Sequence, residues 1–130
     1  MGARSAMIVE DDPILAEGLR VALREAGFEP GDPCRDYAEA LASFDRTAPA
    51  FCVLDLDLGG AVSRTLAHSA DEGRRLFWLL QSRKIPTVIH SGYPADLAGP
   101  GLSPEIARIV AKPAPLEAVV AALQEMEAGR

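Results

Sequence analysis

The sequence predicts an α/β sandwich, in which helices cover both faces of a parallel β-sheet. Short apolar runs recur along the chain and stop at polar residues, and stretches with helical apolar spacing lie between these runs. The runs are continuously apolar rather than alternating, which is typical of strands that are buried on both faces. This alternation of strands and helices predicts a doubly wound, three-layer fold with right-handed crossovers between parallel strands.

The first strand and the first helix are predicted between residues 6 and 27. Ala6–Val9 is an apolar run that stops at three consecutive acidic residues. The last of them, Asp12, is a favourable N-cap, and Pro13 is a favourable first helical residue. Apolar residues then recur at helical spacing until Gly27, which ends the helix. Residues 28–30 are a weak strand candidate.

The centre of the chain contains the strongest strand signal. A short helix with an apolar face from Tyr37 to Phe44 is predicted to end before Pro49. The run Ala50–Leu54 then indicates a buried strand, and this strand stops at Asp55.

The C-terminal half completes the alternation of strands and helices. Leu76–Leu80 mark a helix, and the run Ile85–His90 indicates another buried strand. Residues 93–104 are rich in proline and glycine, so they predict at most a short helix. Ile106–Ala111 is the last predicted strand, and a helix follows from Pro115 onward.

Composition excludes several functional classes. The chain has 130 residues and a net charge of −6, without the clusters of Lys and Arg that bind nucleic acid. Its run Leu76–Leu80 is far shorter than the ~20 apolar residues that span a bilayer, and the start of the sequence lacks a secretory signal. We therefore expect one cytoplasmic domain over residues 1–130, with its structured core over residues 6–128. Cys34 and Cys52 are expected to be buried thiols.

Polar side chains follow the predicted strands at the points where the strands end. In an open parallel sheet these ends meet at one edge, where ligands bind. The side chains expected to converge there are Glu10, Asp11, Asp55, Ser91 and Lys112. Three carboxylates at close range repel one another, so a divalent cation would stabilise them. Oxygen ligands suit Mg²⁺, which in proteins usually binds one or two carboxylates together with phosphate oxygens.

A phosphoryl group is therefore the second expected ligand. The Asp55 carboxylate can attack a phosphoryl donor to form an aspartyl phosphate. Lys112 offers a positive charge, and Ser91 offers a hydroxyl, for the oxygens of the transferred group. A movement of Ser91 towards this group would displace the segment after it, which predicts a conformational switch over residues 92–104.

On these residues the chain resembles the receiver domain of bacterial two-component response regulators. The resemblance extends from Met7 through the last helix and implies the flavodoxin-like fold, with a five-stranded sheet of order 2-1-3-4-5. It implies that Asp55 is the phosphoacceptor and that Ser91 and Lys112 bind the phosphoryl group. It also implies a cis peptide bond before Pro113. The implied ligands of Mg²⁺, for which Mn²⁺ would substitute, are Glu10, Asp11, Asp55 and the main-chain carbonyl of Asp57.

The resemblance also implies a function in signalling. A sensor histidine kinase or a histidine phosphotransfer protein would donate the phosphoryl group, and an unidentified downstream protein would receive the signal in a phosphorelay. The expected protein is a stand-alone phosphoprotein rather than an enzyme, with at most weak self-catalysed phosphorylation and dephosphorylation. Neither nucleic acid nor a membrane is an expected partner, and the sequence leaves homodimer formation open.

Four features depart from the usual receiver pattern. Ile109 occupies a position where many receivers have an aromatic residue, and residues 58–60 lack the usual proline after the phosphoacceptor. An insertion is predicted within residues 61–71, because the phosphoacceptor and the hydroxyl residue are further apart than usual. The segment before Pro104 is a poor helix. These departures are compatible with phosphoacceptance and predict a different signalling geometry.

The sequence leaves two alternatives open. Asp55 and Asp57 also resemble the nucleophile and the general acid of haloacid-dehalogenase-type phosphohydrolases, which turn over an aspartyl phosphate. Against this alternative, Gly59 stands where such enzymes have a hydroxyl residue, and the sequence after Lys112 lacks their late acidic metal motif. The other alternative is a phosphorylation-independent pseudo-receiver, although all five polar positions are filled.

Overall fold

The structure, a computed structural model, describes residues 4–56, 72–92 and 103–129. Within these ranges the chain forms five strands: β1 (Ser5–Val9), β2 (Glu29–Pro30), β3 (Phe51–Leu54), β4 (Thr87–Ser91) and β5 (Ala107–Ala111). The helices of the same ranges are α1 (Pro13–Glu25), α2 (Tyr37–Arg46), α3 (Glu72–Ser82) and α4 (Leu116–Ala128). None of these described helices is long and apolar enough to cross a bilayer. Three predicted features lie outside the described residues: Asp57, the insertion within residues 61–71, and residues 93–102 of the poor helix.

The strands form one parallel sheet in the order β2-β1-β3-β4-β5. This order confirms the predicted fold class and the predicted topology. The register places Val9 beside Leu54, Leu54 beside Ile89, and Ile89 beside Ile109. Because β1, β3, β4 and β5 reach the same edge of the sheet at the same level, the residues that follow them become neighbours.

Side chains alternate between two apolar cores, one on each face of the sheet. In β1, Ala6 and Ile8 belong to the core formed with α1 and α4, whereas Met7 and Val9 belong to the core formed with α2 and α3. Burial of apolar surface on both faces is the main stabilising contribution to such a fold. It also explains why the strands are continuously apolar in sequence.

Both predicted end signals of α1 are present in the structure. The Asp12 side chain accepts hydrogen bonds from the main-chain N–H groups of Ile14 and Leu15, at 3.0 and 3.2 Å. Gly27 follows the helix with a φ of 93°, a left-handed conformation that glycine adopts without steric cost. α1 thus begins immediately after residues 10–12, the acidic segment that follows β1.

The short strand β2 is extended by a contact further along the chain. Pro30 has no main-chain N–H with which to continue a β-ladder. Beyond it, the N–H of Cys34 donates to the carbonyl of Ile8 at 2.8 Å, and the N–H of Glu10 donates to the carbonyl of Cys34 at 2.9 Å. These bonds place the start of α2 next to the acidic end of β1.

Cys34 and Cys52 are buried free thiols, as the sequence predicts. Burial raises the pKa of both thiols. Both therefore remain protonated at neutral pH and pack as small apolar side chains.

Candidate functional site

Three carboxylates meet at the carboxyl edge of the sheet. Glu10 and Asp11 follow β1, and Asp55 follows β3, which pairs with β1. One carboxylate oxygen from each residue lies within 4.8 Å of the other two. Glu10 and Asp55 are each only 2% exposed, whereas Asp11 is exposed. The acidic residues that the sequence predicts to converge thus lie together in the structure.

Lys112 brings a positive charge into the same site. It follows β5, and its side chain reaches past the end of β4 to the acidic residues. Its Nζ lies 3.0 Å from Glu10 Oε1 and 3.1 Å from Asp55 Oδ2. The Lys112–Pro113 peptide bond is cis, and the Lys112 N–H donates to the carbonyl of Ser91 at 2.7 Å. We name four side chains the strand-end cluster: Glu10, Asp11, Asp55 and Lys112.

The charges of the strand-end cluster do not balance, because three carboxylates face one ammonium group. Burial by itself would lower the pKa of Lys112, but the Asp55 and Glu10 carboxylates outweigh burial and raise that pKa. The stabilising contribution of the ammonium is complete below the pKa of lysine in the unfolded chain. It is lost only as the pH rises through the raised value. Lys112 therefore stays charged at neutral pH, and the arrangement of three carboxyl groups around one ammonium group favours binding of a further cation.

The donor atoms of the strand-end cluster fit Mg²⁺. Its three acidic residues offer only oxygen, the ligand atom that Mg²⁺ prefers, and none of the nitrogen or sulfur ligands typical of zinc sites. The exposed Asp11 leaves one side of the group accessible to water or to phosphate oxygens. Glu10, Asp11 and Asp55 could therefore hold a metal ion that prefers oxygen ligands.

Glu10 is fixed from both sides of its carboxylate. Oε1 accepts the hydrogen bond from Lys112, and Oε2 accepts a hydrogen bond from the main-chain N–H of Asp12 at 3.2 Å. The main chain of Glu10 is also fixed, through its bond to Cys34. The carboxylate is thus held by Lys112, which follows β5, and by the α1 cap, while the segment before α2 holds the main chain.

Tyr37 belongs to the site, although the sequence pattern assigns it only to the apolar face of a helix. It is the first residue of α2, and its hydroxyl donates to the main-chain carbonyl of Asp55 at 2.8 Å. The side chain is 5% exposed and lies in the core formed with α2 and α3. A buried tyrosine hydroxyl needs a polar partner. The presence of a tyrosine on the apolar face of α2 is therefore the feature of the sequence that could have indicated this contact.

Three further residues that the sequence singles out are Ser91, Ile109 and Asp57. Ser91 is the last residue of β4 and is buried. Because β4 lies between β3 and β5, the end of β4 lies between the strand ends that precede Asp55 and Lys112. Ile109, at the position where many receivers have an aromatic ring, packs partly buried against the core formed with α2 and α3. Asp57, the fourth implied metal ligand, is outside the described residues.

Comparisons with known proteins bear on the fold. No protein-family model matches the sequence, and a search of curated proteins gives no match. Solved structures do match: the receiver domain of PhyR from Erythrobacter litoralis is 19% identical, with a TM-score of 0.75, over 98% of this chain and 92% of that chain. TrrA from Thermotoga maritima, solved in complex with Mg²⁺ and BeF, is 19% identical, with a TM-score of 0.70, over 95% of this chain and 98% of that chain. The fold is that of a response-regulator receiver domain.

The receiver fold also occurs in longer proteins that match this chain. The response regulator PhyR from Brucella abortus is 24% identical, with a TM-score of 0.73, over 96% of this chain but only 49% of that chain. Another PhyR stress response regulator matches over 44% of its own length. The chain thus spans about half the length of these PhyR proteins.

Proposed function

We propose that this receiver-fold chain accepts a phosphoryl group on Asp55 and acts as a response regulator in a bacterial phosphorelay. A sensor histidine kinase or a histidine phosphotransfer protein in the cytoplasm would be the donor, and a downstream protein would receive the signal. One observation carries the proposal: the Lys112 ammonium contacts the buried carboxylates of Glu10 and Asp55 at 3.0 and 3.1 Å. Such a pair offers a nucleophile together with the positive charge that would hold the transferred group.

Asp55 is the proposed nucleophile. One of its carboxylate oxygens forms the new bond to phosphorus while the bond between phosphorus and the donor's imidazole nitrogen breaks. Lys112 already contacts Asp55 Oδ2 and is therefore near the oxygens that the transferred group would bring. We assign the Ser91 hydroxyl, at the neighbouring strand end, as a second donor to this group.

Mg²⁺ is the proposed cofactor, with Mn²⁺ as a substitute. Glu10, Asp11 and Asp55 would hold the ion, together with the main-chain carbonyl of Asp57. The ion would supply the positive charge that the strand-end cluster lacks. The TrrA complex with Mg²⁺ and BeF supports this proposal, because TrrA shares the receiver fold.

Labelling with a small phosphodonor tests the proposed function. Wild type, Asp55→Asn and a control variant, Asp45→Asn, are incubated with acetyl phosphate in Mg²⁺ or in EDTA. Asp45 is an exposed aspartate of α2, so its replacement leaves the strand-end cluster intact. We expect a single phosphoryl group on wild type and on the control in Mg²⁺, and none on Asp55→Asn or in EDTA. Undiminished labelling of Asp55→Asn would refute the assignment.

A second assay separates phosphoacceptance from the phosphohydrolase alternative. The chain is incubated with Mg²⁺ and a generic phosphomonoester, and free phosphate is followed over time. A receiver is expected to release little phosphate, because its aspartyl phosphate is a stored signal. Continuous release that disappears in Asp55→Asn would instead indicate an enzyme with Asp55 as its nucleophile.

A further inference from the structure

We propose that Tyr37 is a positioning residue for the phosphoacceptor, acting through its hydrogen bond to the main chain of Asp55. This inference rests on the proposed function, because it concerns how well Asp55 is oriented for phosphoryl transfer. It adds a residue from α2 to a site that the sequence builds only from strand ends. Neither the acidic pattern nor the lysine points to such a residue.

The hydrogen bond is made where the β-ladder stops. The register of β3 with its two neighbours ends at Leu54, which pairs with Val9 on one side and Ile89 on the other. Asp55 comes next, with its N–H still donating to Val9 at 3.0 Å. Its carbonyl is 2.8 Å from the Tyr37 hydroxyl, and both residues are buried. A hydrogen bond between buried groups is directional, so this hydroxyl stabilises one orientation of the peptide group that follows Asp55.

The position of Tyr37 is itself fixed by two capping hydrogen bonds at the start of α2. The Asp36 side chain accepts from the N–H of Glu39 at 2.8 Å, and Glu39 Oε1 accepts from the N–H of Arg35 at 2.8 Å. Just before it, Cys34 is hydrogen bonded to β1 through both its N–H and its carbonyl. Tyr37 is therefore the end of a segment with little freedom to move.

This segment connects two members of the strand-end cluster through their main chains. The Cys34 carbonyl accepts from the N–H of Glu10, and the Tyr37 hydroxyl donates to the carbonyl of Asp55. Residues 34–37 thus add a second connection between the ends of β1 and β3, beside the direct pairing of these strands. A phosphoacceptor and its metal ligands must keep a fixed geometry, since a displacement of about 1 Å can lower a rate about 100-fold.

The variant Tyr37→Phe removes the hydroxyl and keeps the buried ring. Thr87→Val is the matched control, because the Thr87 hydroxyl also donates to a buried main-chain carbonyl, that of Ile85 at 2.9 Å. Thr87 begins β4, at the end of the strand opposite Ser91. Both variants lose one buried hydrogen bond of the same kind, but only one of these bonds involves Asp55.

The experiment measures the initial rate of labelling against acetyl phosphate concentration at saturating Mg²⁺, with the folded fraction followed by the fluorescence of Trp78. For Tyr37→Phe we expect about a tenfold lower maximal rate at an unchanged half-saturating donor concentration and an unchanged folded fraction. For Thr87→Val we expect a maximal rate within about twofold of wild type, as for a site distant from the change.

Two outcomes would overturn the inference while the proposed function stands. One is a maximal rate of Tyr37→Phe within about twofold of wild type. The other is an equal loss of rate in Thr87→Val, which would indicate a general effect of a lost buried hydrogen bond. A wild-type chain that takes no label would remove the proposed function, and the role of Tyr37 with it. The behaviour of wild type in the same assay therefore distinguishes the two failures.

Discussion

Ion pairs link distant parts of the chain at two opposite ends of the sheet, and they differ in charge balance. At the carboxyl end, Lys112 contacts Glu10 and Asp55 within the strand-end cluster. At the amino end, Arg4 makes two hydrogen bonds to the Glu127 carboxylate, at 2.8 and 2.9 Å. The second pair is balanced, one cation to one anion, whereas the strand-end cluster has more carboxylates than cations.

The balanced pair has further contacts that make it structural. The Arg4 guanidinium carbon lies 4.2 Å from the centre of the Phe28 ring, and Nη1 donates to the carbonyl of Ala26 at 3.3 Å. Gly27 leaves room for it, because a Cβ there would lie 2.4 Å from Arg4 Nη1. We name Arg4, Phe28 and Glu127 the Arg4 cluster.

Charge balance and burial distinguish the structural ion pair from the functional one. In the Arg4 cluster each charge has its partner, and the side chains of Arg4 and Glu127 are 35% and 33% exposed. In the strand-end cluster, Glu10 and Asp55 are almost fully buried, and the four side chains of the cluster comprise three carboxyl groups and one ammonium group. A buried excess of one charge costs stability, so we interpret it as a site built for a ligand of opposite charge.

Removing the cation of the strand-end cluster is expected to have the largest effect. Lys112→Ala leaves two buried carboxylates without their ammonium partner, which should lower the free energy of unfolding by about 3 kcal/mol at pH 7 without Mg²⁺. Urea unfolding followed by Trp78 fluorescence measures this loss. The loss should shrink only at alkaline pH, where the Lys112 ammonium of wild type is neutralised as the pH rises through its raised pKa. A loss below about 1 kcal/mol at pH 7 would show that the carboxylates do not depend on Lys112.

Magnesium is expected to act on one cluster and not on the other. At a Mg²⁺ concentration about tenfold above its dissociation constant, wild type should gain about 1.4 kcal/mol of stability, and EDTA should reverse the gain. Arg4→Ala should gain as much as wild type, because the Arg4 cluster lies at the other end of the sheet. Equal stability of wild type in Mg²⁺ and in EDTA would contradict a cation site at the strand-end cluster.

Breaking the Arg4 cluster is expected to cost less than removing Lys112. Arg4→Ala and Glu127→Gln should each lower the free energy of unfolding by about 1 kcal/mol, since the pair is partly exposed and part of the loss is the contact with Phe28. The double variant should lose less than the sum of the single variants. If the loss of stability in these variants depended on Mg²⁺, the two clusters would not be independent.

Removing one negative charge from the strand-end cluster is expected to have the smallest effect on stability, with the opposite sign. Asp11→Asn keeps both contacts of Lys112 and reduces repulsion, so it should raise the stability of the metal-free protein by about 0.5 kcal/mol. The same change should abolish most of the gain from Mg²⁺. A lower stability of metal-free Asp11→Asn would show that the charge excess is not the dominant electrostatic feature of the site.

The fold and most of the site could be predicted because both depend on local sequence patterns. Continuous apolar runs identify the strands, and the residue that ends each run is placed at the sheet edge by the parallel register. This logic identifies Glu10, Asp55 and Lys112 without any knowledge of side-chain packing. The capping residue Asp12 could likewise be predicted, because its partners lie within three residues.

Features that depend on the packing of distant elements could not be predicted. The Tyr37 hydroxyl reaches Asp55 because of how α2 packs against β1 and α3, and no spacing in the sequence encodes that contact. Arg4 and Glu127 are 123 positions apart, and Arg4 precedes the first apolar run. The extension of β2 through Cys34 could not be predicted either, because the residues between Pro30 and Cys34 are typical of a turn.

Mapping the phosphorylated residue is the most direct test of the claim that the charge excess at the strand ends serves phosphoryl transfer. Wild type is treated with acetyl phosphate and Mg²⁺, reduced with borohydride to convert an acyl phosphate into a stable product, digested and analysed by mass spectrometry. We expect the modification on Asp55, and its loss when EDTA replaces Mg²⁺. A modification at any other residue, or an unmodified Asp55 in the presence of Mg²⁺, would contradict the account.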